Sequence, residues 1–372
     1  MLVGHPVWAE VDLSALAHNL REVRQLVGER KVMAVVKANA YGHGMIPVAR
    51  TLLAAGADWL GVARAVEALD LRQEAITAPI LVLGYVDPVE CPALAAAGVH
   101  VTVYDRPAAE EFSRVAQREG KTLEIHIKVD TGMGRLGLPC DDSGAREALT
   151  VANLTGIKVA GLFTHFACAD EPDEGPVRLQ MERFLNFARR LEREGLAVPC
   201  RHAANSAAIM RLPESHFDMV RPGIMLYGLH PSPVTAGLAD LRPVMSLKAR
   251  VAQVKRVGAG FPVSYGWTYK TSGPAVLATV AIGYADGYSR LLSGRGEVLI
   301  GGRRAPVVGR VCMDHIIIDA TGVEGVSPGD EVVLFGCQGG AFLPVEEIAE
   351  KVGTINYEVV CAVGARVPRV YL

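Results

Sequence analysis

Lys37 ends the apolar run Val32-Met33-Ala34-Val35-Val36. An ammonium at the end of a buried strand is costly unless it is paired or neutralised. Condensation with an aldehyde would remove its charge, and desolvation makes its amine a better nucleophile. The plainer reading is a lysine that snorkels from a strand end. The Gly42-His43-Gly44 turn that follows adds some weight to a site. A second candidate is Gly132-Met133-Gly134-Arg135-Leu136-Gly137, a G-x-G-x-x-G pattern behind an apolar run. Dinucleotide binding needs a helix that opens within such a motif, to bring its N-terminus to the pyrophosphate. Pro139 and the pair Asp141-Asp142 interrupt first, so these glycines read as a loop that aims Arg135 inward.

The elements that must position these residues repeat one pattern over the first part of the chain. Short runs rich in Val, Ile and Leu occur at Val32–Lys37, Asp58–Ala63, Pro79–Gly84, His100–Tyr104, Leu123–Asp130, Val159–His165, Cys200–Ala204 and Asp218–Pro222. Helical spacing fills the gaps, as in Pro176–Gly195, and the helix after Asn205 is expected to be short. Alternating strands and helices imply a parallel sheet covered on both faces. Eight such units suit a TIM-type (β/α)8 barrel, although a strand count alone leaves an open doubly wound sheet possible. A barrel would put active residues at strand C-termini, where Lys37, Asp130, His165, Asn205 and Arg221 fall. Beyond Leu241 the chain changes to short strands broken by Gly and Pro, an all-β module with one short helix at Pro344–Val352. The expected domains are 12–240 for the barrel and 241–372 for the β module. The opening VWAEVDL could pair with the latter.

Composition narrows the classes. The 372 residues are 50% hydrophobic and 21% charged with a net charge of −2, so no global basic field favours nucleic acid or anionic lipid. The uncharged stretch 271–285 is shorter than the ~20 apolar residues of a membrane span. The first residues lack the pattern of a signal peptide. Seven scattered cysteines without C-x-x-C argue against a disulfide framework and a zinc ribbon, and suit a reducing cytoplasm.

The segment AVVKANAYGHG (34–44) closely resembles the cofactor-lysine segment of the alanine racemases. The resemblance continues, in family order, through KVDTGMGRLG (128–137), GLFTHFACAD (161–170), HAANSAA (202–208), VRPGIMLYG (220–228), VSYGWTY (263–269), ATVAIGYADGY (278–288), GRVCMDH (309–315) and TINYEVVCAVGARVPRVY (354–371). It implies a barrel that binds pyridoxal 5'-phosphate (PLP), followed by a β domain, in a homodimer with shared active sites. That decides barrel over open sheet. The implied activity interconverts L-alanine and D-alanine, supplying D-alanine for bacterial peptidoglycan.

The resemblance also assigns roles. Lys37 would hold PLP and act as base on one face of the substrate, with Tyr265 opposite; a free tyrosine, of pKa ~10, needs help to act so. His165 and Arg221 would link Tyr265 to the cofactor, Arg221 facing the pyridine nitrogen. A guanidinium does not usefully give up its proton, so that nitrogen would stay unprotonated. Tyr41, Ser206, Gly223, Ile224 and Tyr357 would hold the phosphate. Arg135 and the Met313 N–H would bind the substrate carboxylate. Lys128 matches a position that many family members carry as a carbamate, which could steady Arg135. His202, Asn205, Tyr284 and Asp314 lie in matched motifs as supporting residues. The stretch Cys361–Arg366 is less typical of the family.

Other readings are a racemase of broader range, including serine, because an apolar pocket rejects one hydroxyl only weakly; a PLP decarboxylase of basic amino acids; and a non-enzymatic PLP-binding barrel. Arg221 and VSYGWTY oppose the second, and the 241–372 module opposes the third.

Overall fold

The computed structural model describes residues 5–372, which fold as two compact units. One comprises Leu16–Ala40 and Met45–Arg242; the other comprises residues up to Ala15, Tyr41–Gly44 and Pro243–Leu372.

In the second unit, strand β1 (Val7–Val11) enters the sheet first. The barrel of the first unit uses β2 (Lys31–Val35), β3 (Trp59–Val62), β4 (Ile80–Val82), β5 (His100–Val103), β6 (Leu123–Asp130), β7 (Ile157–Phe163), β8 (Arg201–His202) and β9 (Met219–Val220). All pair in parallel. The ring closes because β9 pairs with β2 (Met219↔Lys31) and β5 pairs with β6 (Val101↔Ile125). All eight apolar runs seen in the sequence supply these strands. Parallel strands covered on both faces read as continuous hydrophobic stretches, which makes them visible.

The helices follow the same logic. Gly175–Arg193 carries Pro176 in its first turn and buries Val177, Gln180, Phe184, Phe187, Ala188 and Leu191 along one stripe. Gly195, at φ +91, follows its end. Met33, Leu81, Cys200 and Met219 form a buried cluster, with Trp59 and Leu83 packed against it. The register slips between Ile125 and His126 where β6 pairs with β7, a bulge beside a run of buried polar side chains.

The second unit is mostly β. Its hub is β10 (Met245–Val257), antiparallel to β1 with Val7↔Ala249 and Val11↔Met245. Along its length β10 also pairs with Ala275–Val280 and Glu331–Gln338. The last strand, Arg369–Tyr371, runs parallel to β1 on its other edge. Helix Val345–Val352 forms as its sequence suggests. A second helix, Asn356–Cys361, was not foreseen. Its β-branched valines disfavour an isolated helix. Docking compensates: Val360 is buried and the Asn356 side chain donates to Glu346 Oε1 at 3.0 Å.

Tyr41–Gly44 belongs with this unit, and its glycines are required there. A Cβ on Gly42 would lie 2.5 Å from the Val360 carbonyl oxygen, and one on Gly44 would overlap the Tyr371 hydroxyl. Arg369 Nε donates to the Gly42 carbonyl at 2.9 Å.

Candidate active site

In the barrel unit, Lys37 lies two residues beyond the end of β2 and begins an unusual turn. Ala38, Asn39 and Ala40 all have left-handed backbone (φ 53 to 54, ψ 45 to 53), and Tyr41 has φ 53. Left-handed helix costs L-residues ~1–2 kcal/mol each, and such strain gathers at functional sites. The turn is held from several sides. Ala40 N donates to Val36 O at 2.9 Å and Met45 N to Asn39 Oδ1 at 2.8 Å. Glu67 accepts from Ala38 N at 2.6 Å, and its other oxygen accepts from Ala63 N and Arg64 N at 2.8 and 3.1 Å. One carboxylate thus ties the lysine turn to the loop after β3. Sequence reasoning missed Glu67, because an acidic residue in a first helical turn looks like ordinary capping.

At the end of β6, Asp130 Oδ1 accepts the backbone N–H groups of Gly132, Met133 and Gly134 at 2.9, 2.8 and 3.1 Å. Burial would raise this carboxyl, but the N–H donors outweigh it and hold it below its ordinary value. The glycine loop therefore spends its donors on the protein's own carboxylate. The next helix starts only at Asp142, capped by Asp141. This is the geometry of a loop carrying Arg135, and a pyrophosphate would find these donors already used.

Arg221, just after β9, is buried. Its Nη1 donates to His202 Nδ1 at 2.8 Å, and its Nη2 to Thr164 O and Ala203 O at 2.8 and 2.9 Å, with His165 Nδ1 at 3.2 Å. Burial pushes the guanidinium down, to about 9, and these acceptors stabilise its cationic form at neutral pH. Phe163 stacks on His202, with centroids 4.7 Å apart at 7°, and lies under both Arg221 and Lys128. Burial first, then Arg135 and Arg221, push buried Lys128 down to about 8. His165 is driven well below its usual range by burial and by Arg221, Arg135, Lys128 and Lys37. Gln180 steadies His165 by donating to its carbonyl at 3.1 Å.

Ser206 opens the short helix Ser206–Arg211. Its hydroxyl accepts Gly223 N at 2.9 Å and Met225 N at 3.4 Å, leaving its own proton to donate elsewhere. The Gly223 N–H is thereby engaged. The Ile224 N–H makes no hydrogen bond among the described residues. Asn205 caps the helix by accepting from Ala208 N at 3.0 Å.

The second unit gathers the remaining residues. Tyr265 is 69% exposed in the turn Tyr265–Trp267, between two-residue strands at Pro262–Val263 and Tyr269–Lys270. Ser264, Gly266 and Trp267 have φ +61, +71 and +47. The Ser264 hydroxyl donates to Arg310 O at 2.6 Å. Gly309 allows the approach, since a Cβ there would lie 2.9 Å from the Ser264 Cβ. Exposed Met313 and Tyr284 lie on adjoining loops: Tyr284 N donates to Cys312 O at 3.0 Å and Ala285 N to Met313 O at 3.1 Å. The Met313 N–H makes no hydrogen bond among the described residues. Arg366 clamps these loops, with Nε donating to Asp286 and Nη2 to Asp314, each at 2.7 Å. Tyr41 and Tyr357 lie together, with ring centroids 6.2 Å apart.

The barrel thus gathers Lys37, Lys128, Arg135, His165, His202, Asn205, Ser206, Arg221, Gly223 and Ile224. The second unit holds Tyr41, Tyr265, Tyr284, Met313, Asp314 and Tyr357. In the barrel, the charges of Arg221, Arg135, Lys128 and Lys37 all act to lower His165, and the Asp130 carboxylate is already engaged by N–H donors. Such a donor set fits an anionic ligand with phosphate and carboxylate groups. Among the described residues no cluster could hold a metal ion, and no helix is long and apolar enough to cross a membrane.

Residues 11–231 match the family described as "Alanine racemase, N-terminal domain", and residues 244–371 match "Alanine racemase, C-terminal domain". A relative named alanine racemase in Desulforamulus reducens is 50% identical over 369 residues, covering 99% of each chain. The solved alanine racemase of Clostridium difficile 630 superposes with a TM-score of 0.95 at 39% identity, over 100% of this chain and 96% of that one. An alanine racemase from Bartonella henselae, solved with covalently bound pyridoxal phosphate, gives a TM-score of 0.88 at 31% identity, over 99% of this chain and 100% of that one. The chain belongs to the alanine racemase family.

Proposed function

We propose that this member of the alanine racemase family interconverts L-alanine and D-alanine with PLP, by a two-base mechanism in which Lys37 and Tyr265 serve opposite faces of the substrate. The observation that carries the reading is the buried Arg221 guanidinium at the end of β9, held by His202, Thr164 and Ala203 with His165 Nδ1 at 3.2 Å. PLP, when bound, supplies the electron-withdrawing ring that makes the substrate Cα proton removable.

The protein's own groups do the rest. The Lys37 amine would hold the cofactor and, as a free amine, would take or give the proton on one face. Tyr265 would do so on the other. The Ser206 hydroxyl and the Ile224 N–H would donate to phosphate, with Gly223 shaping the turn and Tyr41 and Tyr357 adding hydroxyls. The N–H groups of Arg221 that these acceptors leave unspent would face the pyridine nitrogen and leave it unprotonated, which would limit side reactions such as transamination. Arg135 and the Met313 N–H hold the substrate carboxylate. Lys128, at about 8, has more neutral amine at working pH than a free lysine, the form from which a carbamate arises. A carbamate there would pair with Arg135, where a bare ammonium would repel it.

We assign the working form as a homodimer, in which Tyr265 and Met313 of each chain complete the partner's site. Their exposure on a tightly held loop cluster supports this. The seven free thiols suit a cytoplasmic enzyme supplying D-alanine for peptidoglycan.

The test is to purify the protein with PLP, record its visible spectrum, and follow L-alanine to D-alanine by chiral analysis, with L-serine as a parallel substrate. Wild type should show a cofactor band that Lys37→Ala loses, and should racemise alanine faster than serine. A wild type without the band, or a band unchanged in Lys37→Ala, would overturn the reading.

A further inference from the structure

Beneath Arg221 the barrel contains a column of rings that the reaction above leaves unused. His202 and His126 have centroids 5.1 Å apart, His126 and His100 5.4 Å, and His100 and Trp59 4.7 Å, each pair close to edge-on. His126 and His202 are fully buried. The column begins with two directed hydrogen bonds: Arg221 Nη1 to His202 Nδ1, and His202 Nε2 to His126 Nδ1, both 2.8 Å. A guanidinium can only donate. His202 must therefore accept at Nδ1, and its neutral ring carries its proton on Nε2. That proton points to His126 Nδ1, so His126 is likewise protonated on Nε2. Burial, then His100 and Arg221, push His126 down to about 3, and His202 is depressed for similar reasons, so both rings stay neutral. At the far end, His100 Nε2 pairs with Glu124 at 3.1 Å, and Lys158 meets the same carboxylate at 2.6 Å.

The backbone is shaped to allow this contact. His126 lies opposite a bulge in β7, where Ala160 is the extra residue between Val159 and Gly161, and β7 stands between β6 and β8. A Cβ on Gly161 of β7 would lie 2.4 Å from His126 Nδ1. Only glycine leaves the His126 ring room to reach across to His202. A bulge, a glycine and a buried imidazole whose Nε2 has no hydrogen-bond partner among the described residues are costly for core packing alone. A hydrocarbon side chain would fill the space without them.

We propose that His126 is a positioning residue for this site: acting through His202, it fixes the tautomer of that ring and so the placement of the Arg221 guanidinium toward the cofactor. His202 can offer Arg221 a lone pair on Nδ1 only while its proton is held on Nε2, and His126 Nδ1 is the acceptor that holds it. The functional half of this inference rests on the PLP-racemase reading; the tautomers do not.

The experiment uses holoenzyme labelled with 15N-histidine. Long-range 1H–15N correlation on wild type should show His126 and His202 neutral and protonated on Nε2 at pH 7. Either ring protonated on Nδ1, or doubly protonated, overturns the proposal. Two variants test the consequence. His126→Leu removes the acceptor. His126→Asn restores an oxygen close to where Nδ1 stood. In His126→Leu the His202 signals should change, the visible band of the bound cofactor should shift, and kcat should fall about tenfold with KM within about twofold. His126→Asn should recover the wild-type band and most of the rate. If both variants merely melt earlier, with wild-type band and wild-type kcat per bound cofactor, His126 is packing and the proposal fails. Should His126→Leu not fold, the wild-type tautomers and the asparagine variant still decide. A wild type that forms no cofactor band or no D-alanine would instead count against the racemase reading, leaving the tautomer result standing.

Discussion

The two groups assigned to proton transfer are held by opposite means. Around Lys37, order comes from burial: Arg221 and His202 are enclosed and joined by a short hydrogen bond, and buried Lys128 lies over the Phe163 ring. Around Tyr265, order comes from the backbone: left-handed residues flank an exposed ring, and Ser264, Gly309 and Arg366 brace the loops. Both use left-handed conformations, yet only the barrel side withdraws its groups from water. Burial tunes charge as well as position, so the barrel carries the depressed His165, Lys128 and Arg221. Exposure leaves Tyr265 available to whatever completes the site.

The sharpest way to break this contrast is to remove each base. Lys37→Ala should lower turnover in both directions by at least ~10⁴-fold, because cofactor anchor and base are lost together. Tyr265→Phe should lower it by about 10²–10⁴-fold, with Cα proton exchange blocked far more from one enantiomer than from the other. Its melting temperature should stay near wild type, because the ring is mostly exposed. Equal residual rates near wild type in both directions would contradict the pairing of roles.

Acid should strike the buried side first. His126 is held neutral when folded, down to about 3, but takes a proton near 6.5 when unfolded. The unfolded state therefore binds more protons below pH 6.5, so stability falls with pH from there towards about 3. The slope from this one group is about 1.4 kcal/mol per pH unit. Denaturant unfolding at pH 7 and pH 5.5 reads the loss, and a flat profile would sink the argument. Smaller effects separate the two braces. Glu67→Ala leaves three backbone N–H groups without their carboxylate and should cost about 2 kcal/mol, together with cofactor affinity. Ser264→Ala loses one neutral hydrogen bond, about 1 kcal/mol, and should slow turnover severalfold with little change in cofactor binding. If Ser264→Ala weakened PLP as much as Glu67→Ala, the two sides would not be independent.

How well each side could be read in advance follows from the same contrast. The eight barrel strands were legible because strands buried on both faces are written as apolar runs. Lys37 was legible as an anomaly at the end of one. The turn after it was not: Ala-Asn-Ala-Tyr has no local reason to be left-handed, and only Glu67, Asn39 and the packing of residues 41–44 impose it. His126 left a trace that went unused. In Leu123–Asp130 the polar residues Glu124, His126, Lys128 and Asp130 alternate with apolar ones. Period two puts them on one face of a strand whose pattern is otherwise fully buried. The helix at Asn356–Cys361 was invisible because docking, rather than propensity, makes it.

Strand β1 has a further consequence, for the order in which the molecule is made. Val7–Val11 is synthesised before the barrel, yet its partners, Met245–Val257 and Arg369–Tyr371, come after it. The barrel strands, 31 to 220, are all synthesised in between. Five residues, four of them buried in the finished sheet, must wait as an open strand while the barrel assembles. Arg369–Tyr371, made after the barrel, then covers one edge of β1.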